Sequence, residues 1–429
     1  MSHDRTLLFV NAAQVVTCAG PARARRGAEM ADAVVRTGVA VLVDNDTIVA
    51  VDDERALRAA HADAAVIDCA GGVLTPGFVD SHTHAIFGRA RYEEQELRAT
   101  GVPYMEIARR GGGIHSSVAD LRTRSEDELL ALAEPRLRAL ASTGVTTVEV
   151  TSGYGLSLDD EIKTLRVVRR LAGLLPMRIV PTWLGAHEIP IEARARPDGR
   201  REYLDLLIHE MLPVVAREEL ARFADVFCEP GVFTVDESRE ILTAARQAGL
   251  GIKLHADELT SGGGAELAAE LCATSADHLA AVSDDGIAAL AGAGTVATLL
   301  PGTMLFLGKT AHAPARQLID AGVAVALATD FNPGTSPTTN FPLILTLGVS
   351  QLRLSVAEAL VAGTVNGAAA LGRAERVGQL APGFSADLAL WHATDVREIP
   401  YWYGAGHCRA SWARGKPCHV HDLALTSRV

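Results

Sequence analysis

From about residue 73 onward, short apolar stretches alternate with amphipathic, helix-like stretches, and this alternation constrains the fold more than any other feature of the chain. It is typical of repeated βα units that build a parallel sheet. The strand candidates lie at 72–80, 144–151, 177–186, 224–229, 251–256, 274–279, 294–300 and 322–330. Eight parallel strands with intervening helices close most simply into a (β/α)8 TIM-type barrel, whose active site lies on the loops that follow the strands.

Both ends of the chain have the pattern of a smaller β domain. Residues 7–17, 39–53 and 64–72 are rich in Val and Ile and are separated by turn residues, which favours strands. The segment 377–393 is again strand-like, so we expect it to pair with the N-terminal strands. The sequence therefore predicts an α/β protein with a small β-sandwich domain formed from both chain ends. We predict that this domain comprises residues 1–72 and 376–429 and that the barrel comprises residues 73–375.

The Arg- and Ala-rich segment 20–38 interrupts the N-terminal strands. We interpret it as a surface insertion or a short helix.

Composition and charge exclude several classes of function. The chain has 429 residues, 48% of them hydrophobic and 21% charged, which is typical of a globular protein. Its net charge of −12 disfavours nucleic acid as a partner, because phosphate binding needs a basic surface. The six cysteines are scattered without a CxxC pair, and we find neither a secretion signal nor a membrane-spanning apolar run. We expect a cytoplasmic protein without a membrane partner.

Two histidines stand two residues apart just beyond the first predicted barrel strand, in PGFVDSHTHAIF. In an extended backbone residues i and i+2 face the same side, so His82 and His84 can converge on one ion. The alternative is a pair of surface histidines. Because His255, His278 and Asp330 end the fifth, sixth and eighth predicted strands, all five side chains should meet at the same mouth of the barrel.

This donor set suits a metal ion. Three imidazoles and one carboxylate, from His82, His84, His255 and Asp330, are ligands that zinc or another borderline divalent ion accepts. A water bound to such an ion becomes a hydroxide source near neutral pH and can attack an amide carbonyl. The sequence leaves the identity of the metal open.

At this point the chain resembles the amidohydrolase superfamily, whose members share these histidines and the aspartate of the eighth strand. The resemblance narrows to the imidazolonepropionase family on the motifs FVDSHTHAIFG, TSGYGL, LGAHEIP, KLHADE, SADHL and ATDFNPGTSP. It implies one divalent or trivalent metal ion, zinc or iron, and a homodimer. The implied small-molecule substrate is 4-imidazolone-5-propanoate, hydrolysed by a metal-activated water to N-formimidoyl-L-glutamate in histidine degradation.

Three residues are predicted to carry the chemistry. Asp330 can take a proton from water and pass it to the leaving nitrogen. His278 is placed to hydrogen-bond the developing oxyanion, and its rival role is that of a further metal ligand. Glu258 can orient the heterocycle or the water; the alternative is a solvated loop carboxylate.

The remaining candidates concern substrate binding. Arg91 matches the carboxylate-binding arginine that the resemblance implies, with Arg89 as the competing candidate, and its planar guanidinium suits a carboxylate. The resemblance also implies that substrate contacts come from further residues at the mouth, namely Tyr154, His187, Asn332, Gly334 and Thr335. For Tyr154 and His187 the alternative is a packing role.

Some positions depart from the expected pattern. Thr151 stands where the family usually has lysine before SGYG, which puts the support of the pocket in doubt. The fourth strand ends in FCE rather than in a lysine that could bridge two ions, which favours a single ion. We interpret Lys253 as part of the barrel interior. The rival functions are another ring-opening or deaminating amidohydrolase and a catalytically inactive barrel that serves as a binding module.

Overall fold

The computed structural model describes residues 6–102, 106, 112–403 and 405–421, so the chain-end segments 1–5 and 422–429 of the predicted β domain lie outside the described residues. The strands, numbered along the chain, are β1 Thr6–Val10, β2 Gln14–Val16, β3 Val35–Arg36, β4 Val39–Asp44, β5 Thr47–Asp53, β6 Ala65–Asp68, β7 Val73–Pro76, β8 Phe78–Asp80, β9 Val145–Thr151, β10 Arg178–Ala186, β11 Phe223–Cys228, β12 Gly251–Ala256, β13 Ser275–His278, β14 Val296–Leu299, β15 Val325–Leu327, β16 Leu388–Trp391, β17 Cys408–Ala413 and β18 Lys416–Val420.

The described α-helices are Glu54–Ala60, Tyr92–Ala99, Ile114–Arg122, Glu126–Ala141, Leu158–Leu174, Ile191–Arg194, Gly199–Leu206, Leu212–Arg217, Val235–Gln247, Gly264–Glu270, Asp284–Ala293, Pro301–Phe306, Ala315–Asp320, Phe341–Ser350, Val356–Val361, Gly367–Ala370 and Glu398–Tyr401. A 3-10 helix spans Gly27–Ala31, and π-helical turns span Leu207–Met211 and Ala362–Asn366. Within the described residues, every helix is too short or too polar to cross a lipid bilayer.

The eight strands β8 to β15 form one parallel sheet in sequence order, with helices between successive strands. Its two edges meet just beyond the strands, where Thr83 bridges Phe331 in parallel. His84 N donates to Phe331 O at 2.9 Å, and Asp330 N donates to His82 O at 3.0 Å. The predicted (β/α)8 barrel is confirmed, and its seam runs through the predicted metal ligands.

The strand predicted over 72–80 is wrong as a single element. It is two strands, and β7 leaves the barrel to pair with β16 and β2, while β8 pairs with β9. Gly77 separates them, and a Cβ at this position would lie 2.1 Å from Thr146 Oγ1. The chain can cross from one sheet to the other here because glycine leaves room for Thr146.

The two chain ends together form a β-sandwich, as predicted. One sheet has the order β5-β4-β1-β6, and the other has the order β18-β17-β16-β7-β2-β3. Apolar side chains from both sheets fill the space between them, and Phe9 meets Trp412 edge-on with ring centroids 4.9 Å apart. The stretch predicted as one strand over 7–17 is instead β1 and β2, which belong to different sheets. The stretch 39–53 is a hairpin that turns at Asn45, where φ is 54°.

Most residues of the segment 20–38 are exposed, but a few anchor it to the barrel. Its only helix is the short 3-10 turn, and Arg25 and Met30 are buried. Arg25 N donates to Asn366 Oδ1 at 2.7 Å, and Asn366 Nδ2 donates to Arg25 O at 3.0 Å and to Val325 O at 2.9 Å. The short helix of our interpretation is present, and the segment lies at the surface but is fastened by Arg25 to the start of the last barrel strand.

Trp391 joins the β-sandwich to the barrel. Its side chain is fully buried, and its ring lies 5.2 Å from that of Phe78. The indole nitrogen donates to Thr75 Oγ1 at 2.9 Å, and a Cβ at Gly144 would lie 2.6 Å from the indole ring. The close fit of barrel and sandwich therefore depends on this indole.

Replacing Trp391 with alanine is expected to lower the free energy of unfolding by about 3–5 kcal/mol, because a large buried ring is removed from the interface. Urea denaturation followed by circular dichroism measures the change. Trp402, half exposed at the surface, provides the control, since its replacement should alter stability by less than about 0.5 kcal/mol. Equal losses in the two variants would contradict this account of the interface.

Candidate active site

Strand ends bring the predicted donor residues to one point at the mouth of the barrel. His82 Nε2 lies 3.7 Å from Asp330 Oδ1, and His84 Nε2 lies 3.4 Å from the same oxygen. His255 Nε2 lies 3.4 Å from His84 Nε2. All four side chains are buried. The residues that the sequence predicted as ligands are therefore neighbours in space, although they come from three different strands.

The opposite nitrogen of each of these histidines has a partner of its own. His82 Nδ1 lies 2.6 Å from Asp277 Oδ2, and His255 Nδ1 lies 3.0 Å from Asp225 Oδ2. An ionised carboxylate only accepts, so the hydrogen bond with Asp277 puts the proton on His82 Nδ1 and leaves a lone pair on its Nε2. The Nε2 of His82 is buried without a hydrogen-bond partner among the described residues. An unpartnered nitrogen at this position fits a metal ligand.

Thr151 supplies the corresponding partner for His84. Its Oγ1 lies 2.8 Å from His84 Nδ1. The threonine that departs from the family pattern therefore supports a predicted ligand directly, through a neutral hydroxyl rather than a charge.

Burial and neighbouring charges set the ionisation of the donors. Burial holds the pKa values of His82 and His255 well below the ordinary value, so both rings are neutral. For Asp330 burial pushes the pKa upward, but the contact with His84 and the nearby histidines outweigh it and hold the pKa below its usual value. Neutral imidazoles and an ionised carboxylate are the forms that bind a divalent cation, so the donor set fits such an ion.

A buried ion cluster lies under His82. Lys253 Nζ lies 2.7 Å from Glu149 Oε2 and 3.2 Å from Asp277 Oδ2, and it donates to Ser81 O at 2.8 Å. Burial alone would lower the pKa of Lys253, but Asp277 and Glu149 outweigh it and hold the pKa above the ordinary value. Lys253 is interior, as we interpreted it, and its charge offsets the carboxylate that orients His82.

The sequence analysis missed Asp225, Asp277 and Glu149. Each is a charged residue inside an apolar strand, in ADVFC, SADH and VEV, where a carboxylate is costly without a partner. That cost was the signal in the sequence that each carboxylate has a buried partner. It could not show which histidine each carboxylate faces.

A cavity of about 580 Å³ opens above the donor cluster. The residues that line it and were predicted from the sequence are His84, Arg91, Tyr154, His187, His255, Glu258, His278, Asp330, Asn332 and Thr335. Arg98, Glu188, Phe227 and Lys309 also line it and were not predicted. The cavity therefore places cations and hydrogen-bonding side chains around one region beside the cluster.

Of the two competing arginines, Arg91 lines this cavity. Its guanidinium packs against Gly334, where a Cβ would lie 1.6 Å from Nη2, and its Nε lies 3.4 Å from Glu94 Oε1. Arg89 is exposed, and its described contact is a backbone N–H to Asp120. The structure thus puts Arg91 where a substrate carboxylate could reach it. Gly334 leaves the space that the guanidinium occupies, because a side chain there would overlap it.

Asn332 is engaged by its own loop. Its Oδ1 accepts from Gly334 N at 2.8 Å and Thr335 N at 2.7 Å, and its Nδ2 donates to Asp330 O at 2.7 Å. Asparagine shapes such turns through its side chain. Its amide therefore fixes the loop after β15, and contact with a ligand would come at the expense of these bonds.

His278 and Glu258 face each other at the mouth. Nδ1 of His278 lies 3.6 Å from Glu258 Oε2, and burial raises the pKa of Glu258. The donor atoms of His82, His255 and His278 lie within 4.8 Å of one another. Both the oxyanion role and the rival role of His278 as a ligand are therefore within reach, and the geometry leaves them open.

The second oxygen of Asp330 has a hydrogen-bond partner of its own. The hydroxyl of Thr303 donates to Asp330 Oδ2 at 2.5 Å. A carboxylate oxygen has two lone pairs, so Oδ2 retains one position for a proton.

Known proteins are similar to this chain over almost its whole length. The profile described as Amidohydrolase family matches residues 104–419. An imidazolonepropionase of Geobacillus kaustophilus is 47% identical over 96% of this chain and 97% of its own length. One of Symbiobacterium thermophilum is 49% identical over 96% of each chain.

Solved structures share the fold. A triazine hydrolase variant superposes with a TM-score of 0.75 at 18% identity, covering 99% of this chain and 97% of its own. An adenosine deaminase from Xanthomonas campestris with bound zinc gives a TM-score of 0.70 at 20% identity, covering 98% and 94%. At such identities the likeness concerns the fold alone.

Replacing Asp277 with asparagine is expected to weaken metal binding by about 10- to 100-fold, because His82 loses the carboxylate that fixes its ring and tautomer. Competition with a chromogenic chelator measures the affinity. Asp236→Asn is the matched control, since the Asp236 side chain is 93% exposed and lies on a helix outside the cluster. Unchanged affinity in the Asp277 variant would show that the carboxylate does not support the ligand.

Proposed function

The chain belongs to the imidazolonepropionase family of amidohydrolases, and from this premise we propose how its residues hydrolyse the ring of 4-imidazolone-5-propanoate to N-formimidoyl-L-glutamate in histidine degradation. The family assignment fixes the overall reaction. The roles of individual side chains are our proposal, supported by the geometry of the mouth.

His82, His84, His255 and Asp330 are the proposed ligands of a single ion, zinc or iron. The support is the approach of His82 Nε2 and His84 Nε2 to Asp330 Oδ1, with His255 Nε2 3.4 Å from His84 Nε2. When bound, such an ion lowers the pKa of water and polarises a carbonyl. Both metals accept nitrogen and oxygen donors, so the donor set does not distinguish zinc from iron.

Arg91 is proposed to bind the propionate group. Its guanidinium is nearly buried at the cavity wall, where its Nε lies 3.4 Å from Glu94 Oε1. A guanidinium has five N–H donors, so it can also bind a substrate carboxylate. Tyr154, His187 and the loop 332–335 would enclose the ring, with Asn332 and Gly334 acting through the shape of that loop and Thr335 at the cavity wall.

Proton transfer is assigned to Asp330. As water attacks the ring carbonyl, an oxygen–carbon bond forms and Asp330 takes the proton; the ring carbon–nitrogen bond then breaks and the same proton goes to the leaving nitrogen. Thr303 holds the carboxylate in one orientation throughout. His278 would donate to the developing oxyanion, and Glu258, with its raised pKa, would hydrogen-bond the ring or the water.

We further propose a cytoplasmic homodimer that acts without nucleic acid. The described cysteines are free thiols, which agrees with a reducing compartment. The acidic net charge of −12 argues against a nucleic-acid partner. The dimer follows from the family resemblance.

The proposed function is tested by assay of the purified protein with 4-imidazolone-5-propanoate, together with metal analysis. We expect turnover to N-formimidoyl-L-glutamate with one ion per chain, and no comparable turnover of cyclic ureides or aminopurines. Asp330→Ala should lose both the ion and the activity, because it removes the only carboxylate among the proposed ligands. A variant that retains stoichiometric metal and turnover would show that the cluster is misassigned.

Arg91→Ala should raise KM for this substrate by about 10- to 100-fold, since a charge-assisted contact to the propionate is lost. Metal content should stay unchanged. Arg89→Ala, two residues away and exposed, is the matched control and should behave as the parent. Steady-state kinetics with metal analysis of the three proteins decides the assignment, and equal KM values would overturn it.

A further inference from the structure

The loop that carries Tyr154 is held by one buried carboxylate. Glu161 accepts hydrogen bonds from the backbone N–H groups of Gly153 at 3.0 Å, Gly155 at 2.7 Å and Leu156 at 2.9 Å. The side chain is fully buried. The loop follows β9 and contains two residues in the left-handed region, Gly153 with φ of 112° and Leu156 with φ of 50°. A backbone of this shape needs a partner for its N–H groups, which no regular element supplies.

Arg122 holds the same loop from its carbonyl side. Its Nε donates to Gly155 O at 2.7 Å, and its Nη2 donates to Leu156 O at 3.0 Å. Its Nη1 lies 2.8 Å from Glu192 Oε1. The loop is thus fixed between a carboxylate that takes its N–H groups and a guanidinium that satisfies its carbonyl groups.

Helix capping does not account for Glu161. The helix Leu158–Leu174 is capped by Ser157, whose Oγ accepts from Asp160 N at 3.3 Å. Glu161 lies one turn further on and points back to the loop. A Cβ on Gly155 would lie 2.6 Å from Glu161 N, so the loop packs directly against this turn of the helix. The carboxylate therefore serves the loop.

The loop in turn positions a second cavity residue. His187 Nδ1 donates to Gly153 O at 3.0 Å, which puts the proton on Nδ1 and leaves a lone pair on Nε2. A Cβ on Gly153 would lie 2.8 Å from that Nδ1, so the approach requires glycine. His187 stacks on His84 with ring centroids 5.0 Å apart. The placement of the loop thus reaches both Tyr154 and His187.

We propose that Glu161 is a positioning residue for substrate binding, which fixes the 153–156 loop and through it the Tyr154 hydroxyl and the tautomer of His187. The inference rests on the proposed role of these two side chains in binding. It explains the motif TSGYGL together with the glutamate that follows it, since the N–H groups and the carboxylate that receives them lie within nine residues of one another.

Glu161→Gln is the informative variant, because it keeps the shape of the side chain but turns an NH2 group toward N–H donors of the loop. We expect KM to rise by about 10-fold with metal content unchanged. Tyr154→Phe should also raise KM. The double variant should raise KM by less than the product of the two single effects, because the glutamate acts through the position of Tyr154.

The matched control is Asp387→Asn, which also alters a buried carboxylate, one that accepts from Arg414 N at 2.7 Å in the β-sandwich. It should lower the melting temperature and leave KM unchanged. Arg122→Met, which removes the carbonyl contacts, should also raise KM. Combined with Tyr154→Phe, it should raise KM by less than the product of the two single effects. This variant decides the question if Glu161→Gln does not fold.

Two results would overturn the inference. A fall in stability with unchanged KM, or KM effects that multiply in the double variant, would make Glu161 a structural residue only. If the single variant Tyr154→Phe leaves KM unchanged, the proposed binding role of Tyr154 fails. This failure is distinguishable from a failure of the Glu161 inference, because it is seen in a protein whose Glu161 is intact.

Discussion

The site depends on the closure of the barrel. Two backbone hydrogen bonds that join its edges are made by His82, His84, Asp330 and Phe331, so three of the four proposed ligands lie at this seam. The left-handed φ of Asp330, 52°, turns its side chain inward at the seam. Closure and assembly of the donor cluster are therefore one event, and anything that opens the seam also separates the donors.

Behind the donors lies a layer that fixes their chemistry. Asp277 and Thr151 hydrogen-bond the Nδ1 atoms of His82 and His84, and Asp225 lies beside that of His255. The bond to Asp277 leaves His82 Nε2 as an acceptor. Lys253 compensates the charge of Asp277 in a fully buried region, where an unpaired carboxylate would be costly. The loops above repeat the same arrangement, because Glu161, Arg122 and Asn332 use side-chain groups to satisfy irregular backbone. The barrel thus presents rigid side chains around the cavity, and specificity follows from what those loops hold in place.

The sequence predicted the architecture well, and its errors have a common origin. The βα alternation is local, so the eight strands could be counted before their pairing was known. Stretches 7–17, 39–53 and 72–80 were each taken as one strand, and each is divided in the structure between two strands. Apolar composition continues across Gly77 and Asn45, and only the pairing partners show where the chain changes direction.

The sequence by itself determined the types and order of the donors: an HxH pair after one strand, histidines at two others and an aspartate at the last. Parallel strands have a period of two and carry their ends to one face, so residue type and position near a strand end were sufficient. Only the tertiary structure decided that Asp277 faces His82, that Asp225 faces His255 and that Arg91 rather than Arg89 enters the cavity. These choices depend on register between strands and loops far apart in sequence, and a shift of one residue would turn each side chain to the opposite face.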